Sequence, residues 1–334
     1  MTTSPVRWGI LSTARIGTHK VIPGMRKSAA LEVAAIASRK LAAARTAADA
    51  LGIARAYGSY EELLADPDIE AVYNPLPNHL HVPMTLAAAR AGKHVLCEKP
   101  MALTAAELEV LRPYASQVHI REAFMVRSHP QWVETRALLR SGAIGELRFV
   151  QVSFSYFNAD PVNIRNRADI GGGALYDIGC YAIVAGRWFF EGNPRRVIAT
   201  MERDPSFGTD RTTSGLLEFA GGGQLAFSVS TQATAFQRIE LVGTQGRLEI
   251  EIPFNAPQDG PCRYSIDDTG TPDRAGVRHV VLPTADQYQL QAEAFSNAVR
   301  SERPDAQGLD DAQWNMRIID ALFASEKSGR FEQP

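Results

Sequence analysis

"VRWGILSTARIG", residues 6–17, decides the fold. An apolar run ends in a turn of small residues, and Ile16 to Lys27 then read as a helix, so a strand passes to a helix through a tight corner. Gly9 closes the strand. Ser12, Ala14 and Gly17 fall on the three positions of a glycine-rich phosphate fingerprint, with serine and alanine replacing the first two glycines. Small residues there let the backbone approach a pyrophosphate at a helix N-terminus, which offers unpaired N–H groups and a favourable dipole. Thr13, Arg15 and Ile16 complete the candidate cofactor turn. A tight turn that binds nothing is the alternative.

Outward from this corner, strand and helix signals alternate through residue 122. "LEVAAIAS", "IEAVYN" and "KHVLCE" read as buried strands, and "LAAARTAADAL" and His79–Arg90 as helices. "SYEELLAD" opens on a Ser59–Glu62 capping box and stops at Pro67, and Thr104 with Glu107 is expected to cap one more helix. The pattern predicts an α/β doubly wound Rossmann domain over 1–122, with ligands at the carboxyl ends of its strands. From Leu147 onward, alternating strands dominate: "LRFVQVSFSYF", "RRVIATMER", "TTSGLLEFAGGGQLAFSVSTQ", "RIELVGTQGRLEIEI" and "VRHVVLP". Helices are expected at about Ala174–Phe190, Gln287–Arg300 and Leu309–Lys327. The second domain, 123–334, is therefore α+β, with a large, mostly antiparallel open sheet.

Composition excludes several function classes. The 334 residues are 45% hydrophobic and 22% charged, with 35 Lys+Arg against 37 Asp+Glu. No basic cluster interleaved with aromatics is present, which argues against nucleic acid and anionic membrane. No segment approaches about 18 apolar residues in a row, so a cytoplasmic protein is expected. Cys97, Cys180 and Cys262 are odd in number and scattered, which suits neither a disulfide framework nor a zinc site. His79 and His81, two apart, do not present two ligands on one helical face, and no metal is expected.

Three further stretches carry chemistry. Ser38, 21 residues after Gly17, ends the second strand where the ribose 2′ position is read. Instead of an acid the chain has Ser38, Arg39 and Lys40, a hydroxyl and two cations that suit a 2′-phosphate. Arg39 lying over the adenine face would leave NAD as the alternative to NADP. Next, "HVLCEKP" sets Glu98, Lys99 and Pro100 behind a buried strand, where an ion pair is costly unless used. Finally, "DIGCY" places Asp177 and Tyr181 four apart on one helical face. A tyrosine near pH 10 is a poor base at neutrality, but an adjacent ammonium would favour its phenolate, and Lys99 would be that ammonium; a core tyrosine with a satisfied hydroxyl is the alternative. Asp177 would hold the substrate hydroxyl or orient Lys99. Phe154 and Tyr156, two apart on one strand face, wall the substrate or pack the core.

"GILSTARIG", "NPLPNHLH" (74–81), "CEKP" (97–100) and "GGGALYDIGCY" (171–181), in this order, resemble the glucose–fructose oxidoreductase/inositol dehydrogenase family of nicotinamide-dependent enzymes. Tyrosine where many relatives have histidine resembles the branch with dihydrodiol dehydrogenase and xylose dehydrogenases. The resemblance implies a firmly held nucleotide, with substrate against the nicotinamide. It also implies that Lys99 reaches the nicotinamide ribose and the reacting hydroxyl, that Glu98 contacts the cofactor, and that Pro75, Leu76, Asn78 and His81 pack on it. Arg165 and Tyr288 match positions near the nucleotide. The expected function is hydride transfer between NADP and a hydroxyl or carbonyl carbon of a sugar, polyol or cyclic diol. A glycosidase working by transient oxidation, or a non-catalytic sugar or nucleotide sensor, are the alternatives. The sheet's second face needs a cover, so a homodimer or homotetramer is expected.

Overall fold

The computed structural model describes residues 4–270, 275–301, 305 and 307–334. It divides into two compact units, Met1–Met125 with Asp286–Gln313, and Val126–Ala285 with Trp314–Pro334.

The first unit is a six-stranded parallel sheet. Its strands are β1 (Val6–Leu11), β2 (Leu31–Ala37), β3 (Arg55–Tyr57), β4 (Ala71–Asn74), β5 (His94–Cys97) and β6 (Ile120–Glu122). They stand in the order β3-β2-β1-β4-β5-β6. The order reverses between β1 and β4, and at such a switch point a crevice opens outside the carboxyl ends. Trp8, Ile10 and Leu11 are wholly buried, as in a parallel strand covered on both faces. Gly9 serves this packing: a Cβ there would come within 2.5 Å of the Leu63 side chain.

Local capping signals are realised unevenly. The Ser59 hydroxyl accepts the Glu62 N–H at 3.1 Å, and Glu62 reaches back to the Gly58 N–H at 3.0 Å. Thr104 makes no side-chain cap; instead Glu107 accepts the Leu103 N–H, and Ala105–Tyr114 winds as a 3₁₀ helix with Pro113 inside it. The helix Gln287–Arg300, expected to close the second domain, belongs to the first unit. Phe295 packs on Trp8 with centroids 5.3 Å apart, Ser296 accepts the Trp8 indole N–H, and Arg300 pairs with Glu70 at 2.7 Å. Nothing local to either segment announces that partnership.

The second unit holds an eight-stranded sheet: β7 (Leu147–Phe157), β8 (Arg196–Arg203), β9 (Asp210–Glu218), β10 (Gln224–Ser230), β11 (Gln232–Gly243), β12 (Arg247–Ile250), β13 (Cys262–Asp267) and β14 (Arg278–Leu282). The order is β14-β13-β12-β11-β7-β10-β9-β8, antiparallel except where β10 runs parallel to β7. On β7, buried Val150, Val152 and Phe154 alternate with exposed Phe149, Gln151 and Phe157. The period of two thus gives one face to the core and leaves the other open. The helix Cys180–Phe190 packs on the core side of β7.

Candidate active site

In the first unit, the carboxyl ends of β1, β2, β4 and β5 gather the expected nucleotide residues. The chain turns out of β1 at Ser12, whose φ of 112° lies where glycine is normally needed. The Ser12 hydroxyl steadies the turn by accepting the Ala14 N–H at 3.1 Å. A π-helical turn, Gly17–Val21, follows. The first N–H groups of such a helix have no partner within it, and Thr13, Ala14, Arg15 and Ile16 lie at that terminus with Arg15 exposed. At the end of β2, Ser38 donates its N–H to the Tyr57 carbonyl, and Arg39 and Lys40 are exposed. Arg39 is near enough to Tyr60 to favour its phenolate, although burial wins and raises that phenol. These features fit a dinucleotide: small residues at the corner, a helix N-terminus beside it, and cations where the ribose is read.

The loops after β4 and β5 are knotted together. Asn74, wholly buried, donates to the His81 carbonyl at 3.1 Å and accepts the Leu76 N–H at 3.4 Å. The His81 ring lies between two carbonyls, Nδ1 2.7 Å from Pro100 and Nε2 2.6 Å from Leu76. With 1% exposure, His81 is a strut between these loops. Burial pushes its imidazole down to about 4; the two carbonyls pull upward, and Lys99 and His79 push further down. Pro75 and Leu76 are buried and Asn78 is half-buried.

Glu98 and Lys99 are half-buried at the end of β5, and the Lys99–Pro100 bond is cis. Tyr73 donates its hydroxyl to Glu98 at 2.6 Å, and Glu98 donates its N–H to the Asn74 carbonyl. Glu122, one strand over, accepts the Met101 N–H at 2.8 Å. Tyr288 is buried, and burial together with the nearby Glu98 carboxylate raises its phenol. Lys99 thus leaves β5 on a segment tied down on both sides.

In the second unit, Asp177 lies on a π-helical turn, Leu175–Gly179, and Tyr181 on the helix Cys180–Phe190 into which that turn runs. Such turns recur at functional sites. Asp177 accepts the Tyr156 hydroxyl and the Arg165 Nε, the latter at 2.9 Å. Arg165 is thereby placed in the second unit as the partner of Asp177. The Tyr181 ring is 6% exposed, meeting Phe154 edge-on at 5.9 Å and Phe254 at 5.4 Å. Phe154 itself stacks on Phe254 at 4.6 Å. Gln131 and Trp132 donate to the carbonyls of Ile252 and Pro253, and Gln237 accepts the N–H groups of Phe254 and Asn255, so the segment carrying Phe254 is clamped. Phe154 and Tyr156, expected as a substrate wall or as core packing, divide the work: one packs Tyr181 and the other binds Asp177.

Tyr73, Asn74, Phe254 and Asp210 escaped the sequence reading. Tyr73 and Asp210 find Glu98 and Leu175 across 25 and 35 positions, and the glycine run at 171–173 is the local sign that some group approaches the backbone closely there. Among the described residues, no group of three or more His, Cys, Asp or Glu could hold a metal ion, and no helix is long and apolar enough to cross a membrane.

Comparison with known proteins is consistent across the chain. A family model described as "Oxidoreductase family, NAD-binding Rossmann fold", of the GFO/IDH/MocA type, matches residues 6–123, and a GFO/IDH/MocA C-terminal domain model matches residues 132–249. The chain is 48% identical to an uncharacterized oxidoreductase of Rhizobium meliloti, covering 98% of each. It is 40% identical to a D-xylose 1-dehydrogenase (NADP(+)) of Haloferax volcanii, covering 96% of this chain and 98% of the relative. It is 35% identical to a trans-1,2-dihydrobenzene-1,2-diol dehydrogenase of Xenopus laevis, covering 73% of this chain and 74% of that one. A 3-ketoreductase from Actinomadura kijaniata, solved with NADP and TDP-benzene, superposes with a TM-score of 0.87 at 30% identity, covering 96% of this chain and 98% of the other.

Proposed function

Because the chain belongs to the GFO/IDH/MocA family of NAD(P)-binding oxidoreductases, we propose that it is an NADP-dependent dehydrogenase of a sugar, a polyol or a cyclic diol. The observation that carries this reading is Tyr181, a phenol packed against two aromatic rings on the helix that follows the turn bearing Asp177. When bound, NADP supplies the hydride acceptor; the chain itself must hold the cofactor, orient the hydroxyl and move one proton. Tyr181 takes the hydroxyl proton as the C–OH carbon becomes a carbonyl, and returns it in the reverse direction. Lys99 steadies the reacting oxygen and the nicotinamide ribose. Asp177, already holding Tyr156 and Arg165, orients the polar groups around the reacting carbon.

The choice of NADP rests on Ser38, Arg39 and Lys40 at the end of β2, where no acid is present to favour a free 2′-hydroxyl. The named relative that uses NADP(+) supports the same choice. The test is a panel of aldoses, polyols and cyclic diols assayed for NADPH absorbance, with NAD in parallel. Turnover of at least one class with NADP is expected. Release of aglycone from glycosides without net cofactor reduction would replace this reading with transient oxidation, and cofactor binding without turnover on any class would favour a sensor.

A homodimer belongs to the same proposal. The open face of the second sheet carries Phe149, Phe157, Phe236 and Val281, exposed by 44, 70, 48 and 66%. Apolar side chains in that number on one face favour a cover, and a second copy supplies it. Light scattering at micromolar concentration should give twice the chain mass; a monomeric mass would remove the idea.

A further inference from the structure

Asp210 is 1% exposed at the start of β9, a position where an apolar side chain would serve packing at no desolvation cost. Its Oδ2 accepts the Leu175 N–H at 2.7 Å and the Thr213 hydroxyl at 2.5 Å. Leu175 opens the π-helical turn that holds Asp177, and Tyr181 follows in the same run of helix. A second observation concerns Gly173, whose φ is 119°. A Cβ on Gly173 would lie 2.0 Å from Asp210 Oδ1, so this glycine is what admits the carboxylate. On its other side, Gly173 donates to the Arg165 carbonyl at 2.9 Å and accepts the Asp177 N–H at 3.0 Å. Gly172 is equally confined, since a Cβ there would meet the Arg165 carbonyl at 2.5 Å. Bonds thus join Gly173 to Arg165 and Asp177, and the Asp210 carboxylate, bonded to Leu175, lies directly against this glycine.

We infer that Asp210 is a positioning residue for the acid–base turn, its buried carboxylate fixing the backbone from which Asp177 and Tyr181 project. A carboxylate at the first N–H groups of a helix satisfies donors that have no partner within it and lies at the favourable end of the dipole. Burial raises the Asp210 acid, while Thr213, the Leu175 N–H and Arg203 favour its charged form. The side chain touches no reacting atom in this scheme. It acts by denying the turn a second position, and displacements of about 1 Å at a reacting group cost up to about 100-fold in rate. The inference rests on the assignment of Tyr181 as the acid–base, so its test includes a measurement that needs no activity.

The experiment uses Asp210→Ala, Asp210→Asn and Thr213→Val beside Tyr181→Phe. Amide hydrogen exchange over 173–181 should quicken by roughly tenfold in Asp210→Ala, as when a cap is lost. Its kcat should fall about 10- to 100-fold with the KM for NADP unchanged. Asp210→Asn should recover most of that loss, because its amide oxygen still accepts the Leu175 N–H. Should Asp210→Ala fail to fold, Thr213→Val carries the test, with a smaller fall in kcat at unchanged cofactor KM. An Asp210→Ala protein with near-native kcat, beside a disabled Tyr181→Phe, overturns the inference, as does a loss of cofactor affinity in step with kcat. If Tyr181→Phe keeps its turnover, the acid–base reading has failed instead; faster exchange in Asp210→Ala then upholds the anchoring, and unchanged exchange removes it.

Discussion

The two units hold their candidate residues by different means. In the first, polar ties fix the loops: Asn74 to His81 and Leu76, His81 to two carbonyls, Tyr73 to Glu98, Glu122 to Met101. In the second, rings press on the Tyr181 phenol, with Phe154 and Phe254 against it and Phe254 clamped from behind, beside the polar ties of Asp177 to Tyr156 and Arg165. Polar ties answer to protonation and packing answers to truncation. The first unit should therefore be sensitive to acid and the second to lost methylenes and rings, with cofactor affinity resident in one and proton transfer in the other.

Tyr181→Phe should separate these roles most sharply. Steady-state kinetics should show kcat lowered by roughly 10²–10⁴-fold, with the KM for NADP unchanged. Near-native turnover would break the division of labour outright. Next in size, Phe254→Ala should cost about 3–5 kcal/mol of stability by denaturant unfolding, since a buried ring leaves a cavity its clamped neighbours cannot fill. NADP binding by the folded protein should survive that change.

Acid probes the other side of the comparison. Burial depresses His81 from 6.5 to about 4, and burial with the neighbouring His119 does the same to His94. The unfolded chain takes up these protons near pH 6.5, but the folded chain only near 4. Their contribution is therefore complete above the unfolded pKa and is lost as pH falls from 6.5 toward 4. For His81 alone the loss is about 3 kcal/mol across that window. Urea midpoints between pH 7 and 4.5 should fall for the first unit ahead of the second; a flat profile would mean that the two carbonyls on the His81 ring outweigh its burial. The smallest expected effect is Arg39→Ala, which should lower the NADP-over-NAD preference in kcat/KM by about 10- to 150-fold, the range of one charge-assisted bond. An unchanged ratio would leave Arg39 as a solvated helix start.

What the sequence revealed follows from how far apart the partners are. The Ser59–Glu62 cap was legible because its members are one helical turn apart, and β1 with its small-residue turn because strand, corner and helix are contiguous. The EKP and DIGCY segments were legible as motifs, although the ties that hold Lys99 and Tyr181 were not. Asp210 reaches Leu175 across 35 positions, and His81 reaches Pro100 across 19. Such pairs leave no periodic trace. Thr104 misled because a threonine three residues before a glutamate satisfies the pattern, while here Glu107 finds the Leu103 N–H without it. Alternation along β7 and β10 announced two strands, but their parallel pairing is a property of topology that a period of two does not encode.

The bond from the Trp8 indole to Ser296 spans 288 positions, with Phe295 against the same ring. On the ribosome, Trp8 is made long before Phe295 and Ser296, the helix residues that pack on its ring and accept its indole N–H. At about 5–20 residues per second, that is a wait of roughly 15–60 s during synthesis. The second unit up to Ala285 is made in the interval, while its closing segment Trp314–Pro334 follows the helix. Nascent chains halted before residue 287 should accordingly expose the Trp8 face of the first sheet, an apolar surface of the kind that trigger-type chaperones engage, and release from that engagement should coincide with the emergence of Phe295.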